Sequence, residues 1–272
     1  MIELNKIYNE DCLEGMKRIP DGYIDMILCD LPYGTSKLEW DVIIPFDNLW
    51  QQYWRILKDK GIICLTGTEP FTSQLIISNP DWKLFKEKLT WIKHRPANFA
   101  NAKYRHLKYT EDIAVFGQKG STYNRQMVPR KSNRVKQAQK GNTLNSRTVR
   151  KQNDASFGTE YEGRHWSVYD ADFKNPMDYI EIPAVGSTSK EKVNHQTQKP
   201  VKLFEYLIKT YSNMGDTVLD NCAGSFTTAV ACDNTNRNWI CMEKEEKYCN
   251  IGLTRINDNR ERLSLPLLDS IN

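Results

Sequence analysis

The chain has 272 residues, 39% hydrophobic and 26% charged, which suits one sizeable α/β domain with a smaller insertion. It holds no apolar run of bilayer-spanning length and no basic-then-apolar leader. Its seven cysteines include no C-x-x-C pair and its four histidines show no ligand spacing, so composition points to a cytoplasmic protein with reduced thiols, without membrane span, disulfide framework or metal site.

The net charge of +4 is unevenly spread. Residues 83–151 carry 18 Lys and Arg against three acids, Glu87, Glu111 and Asp112, whereas the rest of the chain holds 20 basic and 31 acidic residues. One basic region on an acidic body is the footprint of a polyanion partner.

Residues 2–9 alternate loosely and predict an opening strand. Asp11 is placed to cap a helix over 13–18, and Pro20-Asp21-Gly22 turns the chain into the apolar run 24–29. That run reads as a buried strand. It ends in Asp30-Leu31-Pro32-Tyr33, projecting a carboxylate from the edge where open α/β sheets place their ligands. Asp30 can accept a hydrogen bond from an amino group, the carbonyl of Leu31 or Pro32 a second, and Tyr33 offers a flat face to a planar ring.

A helix is expected from about 45 to 58, with Phe46, Leu49, Trp50, Tyr53, Trp54 and Leu57 at one-face spacing. A strand at 61–67, a helix at 70–78 and strands at 84–91 and 113–116 follow. Such alternation argues for a mostly parallel, doubly wound sheet covered on both faces.

Between 118 and 194 the pattern dissolves into polar, basic sequence. Lys and Arg there suit phosphate contacts, and Arg, Asn and Gln suit the edges of guanine and adenine. Tyr161, Trp166, Tyr169 and Phe173 are expected to pack a small core. A helix then opens near Pro200, burying Leu203, Phe204, Leu207 and Ile208.

Thr217-Val218-Leu219-Asp220 is a short strand, and Ala223-Gly224-Ser225 makes a small-residue turn before a helix from Thr227. The next strand, 238–243, ends in Glu243 about 20 residues after the first strand, the spacing at which nucleotide-binding sheets set a carboxylate on the ribose hydroxyls. Glu243 also reads as an acid opening the last helix, 244–262.

The stretch Asp30 to Tyr33 resembles motif IV, (D/N/S)PPY, of the DNA amino-methyltransferases that modify adenine N6 or cytosine N4, with Leu31 in place of Pro. Thr197-Gln198-Lys199-Pro200 resembles their motif X, (H)PTQKP, with Gln196 replacing Pro. The run from Asp220 to Thr227 resembles motif I, D-P-F-x-G-S-G-T, with Asn221 for Pro and Phe226 for the second Gly. A side chain at 226 would crowd the turn if a positive φ is required there.

The motif order is that of the β arrangement, implying a catalytic half at 1–117, a target-recognition region at 118–194 and a cofactor half at 195–272. The resemblance further implies a Rossmann-like fold of the class I methyltransferases and S-adenosylmethionine as cofactor. It places Asp11, Cys12 and Asp30 at the cofactor, with Thr197, Gln198, Lys199 and Pro200 against it. The loop Asp220, Asn221, Cys222, Ala223, Gly224, Ser225, Phe226 and Thr227 would cradle it, and Glu243 would hold the ribose. Asp30, Leu31, Pro32 and Tyr33 would act on the adenine N6 amine of a base flipped out of double-stranded DNA. Cytosine N4, a DNA-binding relative without catalysis, and RNA are the alternatives. Transfer to cytosine C5 is disfavoured because no Pro-Cys dipeptide occurs. A homodimer and a cognate restriction endonuclease are partners that the resemblance allows.

Overall fold

The computed structural model describes residues 2–35, 40–97, 99–130, 172–264 and 266–268. The chain divides into two compact units, Met1–Asn124 with Met177–Asn272, and Arg125–Pro176.

The first unit holds an eight-stranded sheet. Numbered along the chain, its strands are β1 (Lys6–Asn9), β2 (Ile24–Cys29), β3 (Leu57–Gly67), β4 (Phe85–Ala97), β5 (Lys108–Gly117), β8 (Tyr179–Glu181), β9 (Thr217–Asp220) and β10 (Asn238–Glu243). Their spatial order is β1-β10-β9-β2-β3-β5-β4-β8. Neighbours from β1 through β3 run parallel, as do β4 and β8, while β5 is antiparallel to both of its neighbours.

The apolar run of β2 follows from coverage on both faces. Met26 and Leu28 join the core beneath α4 (Val201–Tyr211), α5 (Thr227–Thr235) and α6 (Glu246–Leu263). Ile27 and Cys29 face α1 (Cys12–Lys17), α2 (Phe46–Ile56) and α3 (Phe71–Ser78). A strand buried on both sides has no polar face to expose, so its end is the one place it can present chemistry.

The boundary between α2 and β3 differs from the sequence expectation. The helix stops at Ile56 and the strand begins at Leu57, because the backbone N–H groups of Gly22 and Tyr23 donate to the carbonyls of Arg55 and Ile56, and Leu57 pairs with Ile24. Lys58 then reaches both oxygens of Asp25 at 2.8 Å. The polar Lys-Asp-Lys run carries no strand periodicity and lies in an irregularity between the Ile24–Leu57 and Met26–Ile62 pairs, so the pairs on either side rather than local pattern keep it in the strand. β4 and β5 likewise run longer than the apolar segments that announced them.

Residues 177–194, expected within the insertion, lie with the first unit, where β8 pairs Tyr179 to Glu181 with Thr90 to Ile92. In the second unit, β6 (Val128–Pro129) and β7 (Phe173–Lys174) form an antiparallel pair. Phe173, expected in a small core, is 40% exposed, because a two-residue strand pair offers too little sheet to bury a ring. Tyr161, Trp166, Tyr169 and the basic runs between 131 and 171 lie outside the described residues. Among those described, no helix is long and apolar enough to cross a membrane, no acid, His and Cys group could hold a metal ion, and all seven cysteines are free.

Candidate active site

β2 and β9 are neighbours in register, Met26 beside Val218 and Ile27 beside Leu219, so the segments after Cys29 and Asp220 leave the sheet side by side at its carboxyl edge. Asp30 sits there half-buried with both oxygens engaged. Oδ1 accepts from the hydroxyl of Tyr33 at 2.5 Å and from that of Thr66, and the two hydroxyls are themselves 3.0 Å apart. Oδ2 accepts from the ammonium of Lys199 at 2.5 Å.

Lys199 is buried, and burial alone would pull its pKa down. The carboxylates of Asp30 and Glu111 outweigh that and raise it, so the ammonium stays charged. Glu111 Oε2 lies 3.5 Å from Lys199, and Glu111 Oε1 accepts from Lys93 at 2.9 Å. The result is a chain of alternating charge, Lys93, Glu111, Lys199, Asp30. Removing one member of such a buried pair costs about 3–5 kcal/mol, because the other charge is stranded.

Burial, then the Asp30 charge, pushes the Tyr33 phenol well above its usual range, so it remains a hydrogen-bond donor. The Tyr33 ring packs on Phe71 with centroids 4.9 Å apart. Leu31 is buried in the core beside α2 and α3.

The turn after β9 is tied down from beneath. Asp220 is 2% exposed; its Oδ1 accepts from the Cys222 N–H at 3.2 Å and its Oδ2 from the Thr228 hydroxyl. The side-chain Oδ1 of Asn221 accepts from the Tyr53 hydroxyl at 2.6 Å, and the Ala223 N–H donates to the Met242 carbonyl. Asp220 and Asn221 therefore shape the loop rather than face outward. Glu243, at the end of β10, accepts from the Gly224 and Glu245 N–H groups at 2.8 Å each. Burial raises its pKa.

Gly224 has φ +49°, and a Cβ there would lie 2.9 Å from Nε2 of His195. Only glycine leaves the loop backbone open under that ring. Phe226 also takes a left-handed φ, +57°, so the turn keeps the conformation that the missing glycine would favour. Its side chain is fully buried against Gly252 of α6 instead of crowding the loop.

Two further contacts bind the motifs together. Arg255 donates to the Ser225 carbonyl at 2.6 Å and to the Thr227 hydroxyl at 3.0 Å, and that hydroxyl donates to the Lys199 carbonyl at 3.1 Å. Lys199 thus touches the cofactor-type loop through its backbone and Asp30 through its side chain. Gln198 braces the approach by donating to the Glu191 carbonyl and accepting from the Val193 N–H, and Pro200 stands at the start of α4.

Asp11 caps α1 by accepting from the Leu13 N–H at 2.9 Å. Cys12 is buried with its thiol hydrogen-bonded to that of Cys222, which lowers the Cys12 pKa. Of the residues expected at the site, Asp11, Asp30, Pro32, Tyr33, Thr197, Cys222, Gly224 and Glu243 keep accessible surface. The others are buried supports. Thr66, Phe71, Lys93 and Glu111 were not anticipated. The one trace of Glu111 in the sequence is its position as a rare acid in a strongly basic stretch.

Fold and site together define a doubly wound nucleotide-binding enzyme, with a glycine-opened loop beside a carboxylate able to receive an amine. A family model described as DNA methylase, covering N6 and N4 methyltransferases, matches residues 24–254, and the chain belongs to that family. It is therefore an S-adenosylmethionine-dependent DNA methyltransferase of the amino type.

Similar proteins include the type II methyltransferase M2.MboI of Moraxella bovis, 26% identical over 276 residues, covering 93% of this chain and 87% of that protein. The DNA adenine methyltransferase YhdJ of Escherichia coli (strain K12) is 28% identical over 269 residues, covering 94% and 83%. The crystal structure of the M1.HpyAVI–SAM complex shares the fold at a TM-score of 0.60 and 21% identity, covering 93% of this chain and 98% of that one.

Proposed function

We propose that this protein methylates the N6 amine of adenine flipped out of duplex DNA, with Asp30 and the Leu31 carbonyl receiving the amine. The observation that carries this reading is Lys199, which bonds the Asp30 carboxylate and the Thr227 hydroxyl and so sets both motifs around one place.

The residues fit S-adenosylmethionine. Gly224 leaves a backbone cradle that a Cβ would fill, and Glu243 offers a half-buried carboxylate at the end of the next strand, about 20 residues on, where nucleotide-binding sheets meet the ribose hydroxyls. When bound, the cofactor supplies a methyl on a sulfonium, an electrophile that needs little activation. An exocyclic amine is a poor nucleophile because its lone pair is conjugated into the ring. Two acceptors on its N–H groups favour a more tetrahedral nitrogen, so the chain contributes orientation and electrostatics. One N–H proton must leave after transfer, and Asp30 is its first acceptor. Tyr33, backed by Phe71, would stack on the base.

Adenine is favoured over cytosine because an acid at the first place of motif IV is commoner in the adenine enzymes this chain resembles, and because the similar YhdJ is named a DNA adenine methyltransferase. The basic interval expected at 118–194 is assigned to target recognition. A relative without catalysis is disfavoured, since Phe226 holds the positive φ of the turn.

The test is methyl transfer from labelled S-adenosylmethionine to duplex DNA, followed by nucleoside analysis. N6-methyladenine is expected, and its loss in Asp30→Ala with cofactor binding retained. N4-methylcytosine would replace the adenine reading, and full activity in Asp30→Ala would end the proposed mechanism.

A further inference from the structure

Both oxygens of Asp30 are engaged. Oδ1 holds two hydroxyls and Oδ2 holds the Lys199 ammonium, so an incoming amine must share Oδ2 with a cation. On the other side of Lys199 the situation is reversed. Glu111 Oε2 is buried and has no hydrogen-bond partner, although it lies only 3.5 Å from Lys199 Nζ, beyond the 2.7–2.9 Å of a charge-assisted bond. A buried carboxylate oxygen without a partner is costly, and here it lies within a short swing of a flexible ammonium that is already charged.

We propose that Lys199 is a positioning residue that exchanges partners, bonding Asp30 before the base arrives and Glu111 while the amine occupies Asp30. This rests on the reading that Asp30 receives the amine. The exchange frees Oδ2 at the moment it is needed and gives Glu111 Oε2 its missing bond, so the number of satisfied oxygens is conserved. It also withdraws a cation from the point where the amine nitrogen becomes positive during methyl transfer. An ammonium left on Asp30 would oppose that charge, whereas the released carboxylate stabilises it. Lys93, bonded to Glu111 Oε1, holds the second partner in place throughout.

Glu111 lies 88 residues before Lys199 and outside the three motifs, and its side chain meets Lys199 only through the fold, so its role is separable from cofactor binding. The experiment compares wild type, Glu111→Gln and Glu111→Asp in single-turnover methylation of duplex DNA at saturating cofactor and DNA, alongside cofactor Kd and Tm. Glu111→Gln is expected to slow transfer at least tenfold with cofactor Kd within twofold of wild type, and to lower Tm, because it leaves Lys93 and Lys199 short of a counter-charge. Glu111→Asp, which keeps the charge, is expected to recover most of the rate. Wild-type rates in Glu111→Gln would overturn the exchange, as would a loss matched by falling cofactor affinity, or one that Asp does not rescue. A wild-type protein that transfers no methyl to DNA would instead bring down the functional reading on which the exchange rests, a result distinct from a fast Glu111→Gln variant.

Discussion

Phe226 and Gly252 are a matched pair: a Cβ on Gly252 would lie 2.1 Å from Cδ2 of Phe226. The bulky residue in the cofactor-type loop is accommodated because α6 carries no side chain where the ring is buried. Gly252→Ala should destabilise the protein by about 1–3 kcal/mol through overpacking. Phe226→Gly should also destabilise, because relief of ~1–2 kcal/mol of left-handed strain is smaller than the ~3–5 kcal/mol cost of the lost ring. In the double variant the losses should sum to less than the two singles. Urea midpoints of the four proteins measure all three statements.

The Tyr33 hydroxyl donates to Asp30, while its ring rests on Phe71. Tyr33→Phe keeps the ring and removes one bond to a charged acceptor, worth about 1.5–3 kcal/mol. Methyl transfer should fall roughly tenfold or more with cofactor affinity unchanged. Tyr33→Ala, which also removes the flat face, should fall further. A Phe variant as slow as the Ala variant would assign the whole effect to the hydroxyl.

Burial lowers the pKa of His195 to about 4 from an ordinary value of 6.5. Between those values the unfolded chain binds a proton that the folded ring refuses, so stability falls as pH drops from 6.5 towards 4 and levels off below. The variant His195→Gln lacks that component. Relative to wild type it should gain about 2 kcal/mol on going from pH 7 to pH 4, after discounting for the partial exposure of the ring. Denaturant titrations of both proteins at the two pH values give the difference directly.

Between β4 and β5 the chain exposes Lys103 and Arg105 together with Tyr104, which is 86% exposed, and Lys108 anchors the end of this loop to the Thr68 hydroxyl at 2.9 Å. Because Asp112 pairs with Gly67 at the end of β3, the loop rises from the same edge as Asp30. If both cations meet phosphates, Lys103→Ala/Arg105→Ala should reduce the slope of log K against log salt by about 2 and weaken binding alike for all sequences. Cofactor affinity should not change. An unaltered slope in a filter-binding or fluorescence titration would remove this loop from the DNA contact.

Much of the site was legible because its signals are local. An apolar strand ending in Asp-Leu-Pro-Tyr, a small-residue turn after a second strand and an acid after a third each lie within a few residues, and the sheet brings their ends together. The Lys199–Asp30 bond spans 169 residues and was readable only as two separate motifs. Glu111 was invisible as a site residue, since its approach depends on the antiparallel register that sets it opposite Trp91, two residues from Lys93. The start of β3 was hidden for a similar reason: Leu57 pairs with Ile24 ahead of a charged run that carries no strand pattern.

The edge strand β1 pairs with β10, and Asn5 bonds Trp239, 234 positions further along the chain. A ribosome therefore releases the first strand long before its neighbour has been made, and the Asp30 carboxylate emerges well ahead of the lysine that will neutralise it. Nascent chains stopped short of α4 should consequently lack the two strands that join β1 to β2 and remain prone to capture by chaperones until the last quarter of the polypeptide arrives.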